Sequence, residues 1–224
     1  STTCEATGLT GGTSYSFEVL ATSAAGDSDR SAALTQLTSP AAVGTVEFSS
    51  VTMTSMVLTW SAPAGDAPTG YIVYHEGDRR TVAYDGAATT ATIEGLAGGT
   101  AYSYVVASLS GSGVGDVSAV ATQSTSPATP LDLSSTVQTS TSISLSWSAS
   151  VVQTNGEAVT NYRVYQNDGA GGSLPSTATW ESSDGTATST AMAVDPGTLY
   201  AFAVSAVSAA GEGELSSELS QSSA

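Results

Sequence analysis

The chain has 224 residues, with 20 acidic residues against four arginines and no lysine, for a formal charge of −16. Such a surface repels nucleic acid phosphates and anionic membranes, so nucleic acid is excluded as a default partner and an anionic membrane surface is disfavoured. No run of about 18 apolar residues occurs, which leaves no helical membrane insertion in this segment, and the single cysteine cannot form an internal disulfide.

Residues 1–39 carry GLTGGTSYSFEVLATSAAGDSDRS, from Gly8 to Ser31. Leu9 stands six positions before Tyr15, a Gly-rich turn separates them, and the aromatic run that follows predicts a strand. Cys4 falls where Ala91 lies one repeat later, and is expected either as a small buried side chain or as a bridge to sequence or a chain beyond this one. Residues 40–126 bring SMVLTW, in which Met56, Leu58 and Trp60 recur at every second position, the period of a strand with one buried face. Tyr71 and Val73 follow on the next strand, and then GLAGGTAYSYVVASLSGSGVGDVS repeats the first pattern, with Leu96 six before Tyr102. Residues 127–224 bring SISLSWS with Ile143, Leu145 and Trp147 on one face, then Tyr162 and Val164, then VDPGTLYAFAVSAVSAAGEGELS with Val194 six before Tyr200. No window shows a convincing helical stripe, and turn signals recur every ~8–12 residues, which favours a sandwich of sheets.

The repeat has a fixed length. Tyr15 to Tyr102, Trp60 to Trp147 and Ser39 to Ser126 each span 87 residues, while Tyr102 to Tyr200 spans 98. The surplus divides into four residues between Trp147 and Tyr162 and seven between Tyr162 and Tyr200, around the GAGGS run at Gly169 to Ser173. Additions placed in Gly- and Ser-rich stretches are lengthened loops on a constant scaffold.

A tryptophan strand, a Tyr-x-Val strand, Leu-x5-Tyr, a Gly-rich loop and a serine together resemble the fibronectin type III domain. The resemblance covers the whole chain as one partial and two complete modules. It implies an all-β fold of tandem immunoglobulin-like sandwiches, seven strands per module, arranged end to end. Trp60 and Trp147 are then core residues, with Leu9, Leu96, Val194 and the rings of Tyr15, Tyr102 and Tyr200, whose hydroxyls bond backbone at a tyrosine corner. Val194 departs from the leucine of the other copies, and His75 and Gln166 stand where the family often has an aromatic. The expected limits are 1–39 for the last three strands of a partial module, 40–126 for the second and 127–224 for the third. The missing half is expected from a longer array or, alternatively, from a strand donated by another chain. LTSPAA and STSPAT pass from module to module with proline at the joint, a stiffer link than a Gly/Ser tether.

Catalysis has no foothold. His75 is the only histidine, beside Glu76, so the expectation is a non-enzyme. Acidic side chains gather in loops: Asp27 and Asp29, Asp116, Asp66, Asp78, Asp85, Glu212 and Glu214. Asp27, Asp29 and Asp116 are the calcium candidates, although no loop has the dense D-x-[DN]-x-[DN]-G spacing, and no other cofactor is expected. Tyr74, Tyr84, Tyr165 and Trp180 are candidates for outward aromatics making lateral contacts. Close to a third of the residues are serine or threonine, offering O-glycan sites, whereas none of the three asparagines has the N-glycosylation pattern. The expected role is a non-catalytic structural or adhesive segment of a long extracellular protein. Its expected partners are other copies, neighbouring repeats, or protein or glycan ligands. The alternatives are spacer modules of a secreted carbohydrate-active enzyme and the ligand-binding ectodomain of a receptor.

Overall fold

The computed structural model describes residues 2–65, 67–76, 82–153 and 155–224, and all regular structure among them is β-strand. Asp66 and Asp78, named above, lie outside the described residues. The first 39 residues form β1 (Ser14–Phe17), β2 (Thr22–Ser23), β3 (Gly26–Asp27) and β4 (Leu34–Leu37). β1 pairs antiparallel with β4, from Ser14 opposite Leu37 to Phe17 opposite Leu34, and β2 pairs with β3. No tryptophan-bearing strand exists in this stretch to cover the apolar side.

Residues 40–126 form β5 (Glu47–Ser49), β6 (Ser55–Thr59), β7 (Gly70–His75), β8 (Val82–Gly86), β9 (Thr90–Glu94), β10 (Ala101–Ser110), β11 (Gly113–Val117) and β12 (Ala121–Ser124). One sheet runs β5-β6-β9 and the other β11-β10-β7-β8, with β12 also on β10. Residues 127–224 repeat this with β13 (Leu131–Gln138), β14 (Ser142–Ser148), β15 (Val159–Gln166), β16 (Trp180–Glu181), β17 (Ser189–Ala193), β18 (Leu199–Ser208), β19 (Gly211–Glu212) and β20 (Leu219–Ser222). Here the sheets are β13-β14-β17 and β16-β15-β18-β19, with β20 on β18. Counting each two-piece last strand once, the described residues of each stretch hold seven strands, in sheets of three and four.

The alternation read in the sequence explains the third core. Ile143, Leu145 and Trp147 from β14 meet Tyr162 and Val164 from β15, Met192 from β17, and Phe202, Val204 and Ala206 from β18. Each large aliphatic or aromatic side chain so buried contributes roughly 1.5–3 kcal/mol. The serines between them on β14 face the other way, where Ser134 and Ser146 share a hydrogen bond of 3.1 Å.

The chain divides into two compact units. The first comprises Ser1–Glu47, Leu58–Thr92 and Ser103–Ala121, and the second Phe48–Val57, Ile93–Tyr102 and Thr122–Ala224. The division cuts through the middle stretch and leaves both prolines of the short connections inside a unit, Pro40 in the first and Pro127 in the second.

Candidate functional site

Two features repeat in all three copies, and a third in residues 40–126 and 127–224, to build the scaffold. The tyrosine hydroxyls accept backbone N–H bonds five residues back: Tyr15 from Thr10 at 2.8 Å, Tyr102 from Ala97 at 2.8 Å, and Tyr200 from Asp195 at 3.1 Å. Ser31, Ser118 and Ser216 each accept the amide of Val19, Val106 and Val204 at 3.0 Å, which tethers the gap in the last strand to its neighbour. Trp60 and Trp147 are buried, edge-on to Tyr84 at 6.1 Å and Trp180 at 6.2 Å respectively. Neither indole N–H has a hydrogen-bond partner among the described residues.

A fourth repeated arrangement joins the turn before the tyrosine strand to the end of each stretch. Gly12 donates its N–H to Ser39 O at 2.9 Å, Gly99 to Ser126 O at 2.8 Å, and Gly197 to Ala224 O at 3.4 Å. A hydroxyl beside each acceptor locks the turn. Thr38 Oγ1 donates to Thr10 O, Thr125 Oγ1 to Ala97 O, both at 2.7 Å, and Ser223 Oγ to Asp195 O at 2.6 Å. Thr38, Thr125 and Ser223 recur at the same 87- and 98-residue intervals as the tyrosines, which is the signal by which the sequence marks them. Inside the first unit, Asp116 N donates to Pro40 O at 3.2 Å and Ser112 Oγ to Thr38 O at 3.0 Å. Inside the second, Gln153 N donates to Gly99 O at 3.2 Å, Ser126 N to Thr52 O at 3.1 Å, and Ser150 Oγ to Ala128 O.

Several expected roles differ from what is observed. Leu96 and Val194 are buried, but Leu9 is 38% exposed, because no strand of these residues covers it. Cys4 is exposed for the same reason, whereas Ala91 at the equivalent place is buried. Tyr15 and Tyr102 are half-buried and Tyr200 is buried. Among the expected outward aromatics, Tyr74, Tyr84 and Trp180 are half-buried, and Tyr165 is not outward at all, being 7% exposed.

Tyr165 is covered by a polar network. Its hydroxyl and that of Ser205 both donate to Glu212 Oε1 at 2.5 Å. Arg163 donates to Glu212 Oε2 at 2.7 Å and to Glu181 Oε1 at 3.4 Å. Burial alone would raise the Glu212 carboxyl, but bonds from Ser205, Tyr165 and Arg163 hold it below the usual range. Burial and the adjacent Glu212 carboxylate push the Tyr165 hydroxyl up. The hydrogen bond to Glu212 outweighs burial in raising the Arg163 guanidinium. The network is satisfied within itself, which is the chemistry of a surface brace. Asp27, Asp29 and Asp116 are exposed, and among the described residues no three His, Cys, Asp or Glu side chains gather closely enough to hold a metal.

The fibronectin type III domain model matches residues 41–124 and 128–222. The chain belongs to the fibronectin type III family. Its matched modules are non-catalytic domains in tandem. Chitinase A1 of Niallia circulans is 36% identical over 185 residues, covering 78% of this chain and 24% of that protein. Exoglucanase B of Cellulomonas fimi is 34% identical over 229 residues, covering 92% of this chain and 20% of the relative. Endoglucanase B of Cellulomonas fimi is 34% identical over 225 residues, covering 91% and 21%. The chain thus spans about a quarter or less of the length of the curated relatives it matches. Among solved structures, a two-domain fibronectin type III segment of chicken tenascin is similar with a TM-score of 0.40 at 22% identity, covering 80% of this chain and 97% of that one. The FN1–FN3 domains of chicken CNTN1 give a TM-score of 0.41 at 21% identity, covering 94% and 77%.

Proposed function

We propose that these fibronectin type III modules are spacers in a secreted polysaccharide-degrading protein, holding other parts of it apart while doing no chemistry themselves. The observation that carries this reading is the set of relatives: a chitinase and two glucanases match most of this chain through about a fifth to a quarter of their own length. The short, hydrogen-bonded joints at Pro40 and Pro127 suit a spacer, since a connection bonded to both neighbours holds a separation better than a free tether. The acidic, lysine-free surface suits extracellular media, where salt screens repulsion. Substrate contact then belongs to other parts of the protein, and the modules' partners are their neighbours along the chain.

The test is a deletion of residues 40–224 from the full-length protein. Hydrolysis of a soluble oligosaccharide should be unchanged, while release of sugar from insoluble chitin or cellulose falls. Full-length protein that hydrolyses neither polysaccharide, or that forms ordered filaments under the electron microscope, overturns the spacer role in favour of a fibre or surface coat.

A further inference from the structure

Gly11 and Gly98 hold the same position in the turn before the tyrosine strand. Neither has a positive φ, so the turn itself does not require glycine there. What requires it is the neighbouring backbone. A Cβ on Gly11 would lie 2.8 Å from Ala41 N and 3.0 Å from Ser39 O, and one on Gly98 would lie 3.0 Å from both Ala128 N and Ala128 Cα, and 2.5 Å from Cγ of Met53, a flexible side chain of its own module that can move aside. The approach is matched from the other side. A Cβ on Gly65 would lie 2.5 Å from Gly11 O, one on Gly115 would lie 2.5 Å from Pro40 O, and one on Gly156 would overlap Gly99 O. Each set lies within one compact unit.

The third copy of the turn has Pro196 at this position. The turn is otherwise the same. Thr198 Oγ1 donates to Pro196 O at 3.2 Å, as Thr13 does to Gly11 O and Thr100 to Gly98 O, both at 3.3 Å. The next residue takes φ +62 at Gly197, against +65 at Gly12 and +63 at Gly99. Proline is therefore compatible with the turn, and its ring fills the space into which a neighbouring chain would press.

We propose that Gly11 and Gly98 form a docking surface specific for a following module of this family whose own loop glycine, Gly65 or Gly156, lets the two backbones meet, and that Pro196 removes this surface from the third module. A fibronectin type III module placed after the third as the third is placed after the second would meet the pyrrolidine ring where Ala128 now lies. The inference stands apart from the spacer role, because it concerns how modules join and not what they separate.

The experiment transplants the third turn into the second. In the 224-residue chain carrying Cys4→Ser, nitroxide labels at Glu94→Cys and Ser134→Cys report the distance across the Pro127 joint. The parent should give one narrow distance distribution. Gly98→Pro should widen it about two-fold, the freedom expected of domains without a fixed interface. The unfolding transitions should persist, because the turn bonds survive. Gly172→Ala, whose Cβ would meet only the Asp168 side chain at 3.4 Å, should leave the width unchanged. A Gly98→Pro distribution as narrow as the parent's, or a parent distribution already broad, overturns the proposal. Should Gly98→Pro fail to fold, Gly156→Ala decides by the same widths.

Discussion

At the scale of single residues, the two tryptophans carry both a gain and a cost. Each buries a large ring in its sandwich, yet leaves an indole N–H without an acceptor. An unmet buried donor costs roughly 1–3 kcal/mol, which offsets part of what the ring contributes. Trp147→Phe removes the donor together with some area, so it should cost under about 1.5 kcal/mol in denaturant unfolding, against about 2–5 kcal/mol for Leu145→Ala nearby. A Trp147→Phe variant less stable than Leu145→Ala would mean that the indole N–H makes a bond that this geometry lacks. The burial of Trp60 and Trp147 was legible because strand alternation is a local property. The exposure of Leu9 and Cys4 does not show in the local pattern, which matches that of the buried Leu96 and Ala91, and follows instead from residues 1–39 holding only part of a sandwich.

At the scale of elements, the brace formed by Arg163, Tyr165, Ser205 and Glu212 ties β15, β18 and β19 together. Glu212 is held below the ordinary glutamate value of 4.5, so its stabilisation is complete above that value and disappears as pH falls through the depressed one. Glu212→Gln should therefore lower stability by about 1 kcal/mol at pH 7, the upper end for exposed pairs. The gap between variant and parent should close in thermal melts as the solution is acidified below the folded-state value. A gap that is the same at pH 7 and in strong acid would assign the effect to packing instead. Tyr165 adjoins the inward Val164 on β15, so strand alternation alone would turn it outward. The β18–β19 hairpin, which sets Glu212 opposite Val207, brings a carboxylate over its hydroxyl. A contact set by hairpin register across 47 residues of chain leaves no trace in the spacing around Tyr165. The hydroxyl lock of Thr38, Thr125 and Ser223 is the opposite case, since its recurrence at the repeat interval was readable all along.

At the scale of the whole molecule, the repeat determines what the chain is made of, and the spacer proposal rests on the relatives rather than on any residue. The lack of lysine, met above as electrostatics, also bears on proteolysis. Arg163 is the only basic residue between 127 and 224, and it lies inside β15, opposite Glu181 on one side and Ser205 on the other. Trypsin needs an extended, detached segment in its cleft, and a central strand bonded on both edges presents none until its sheet opens. Cutting after Arg163 should thus proceed only as fast as the third sandwich unfolds, and fragments appearing faster than fluorescence-detected unfolding would contradict this. Among trypsin-like proteases the third sandwich would in this way have its lifetime set by one rare opening event and not by the many bonds on its surface.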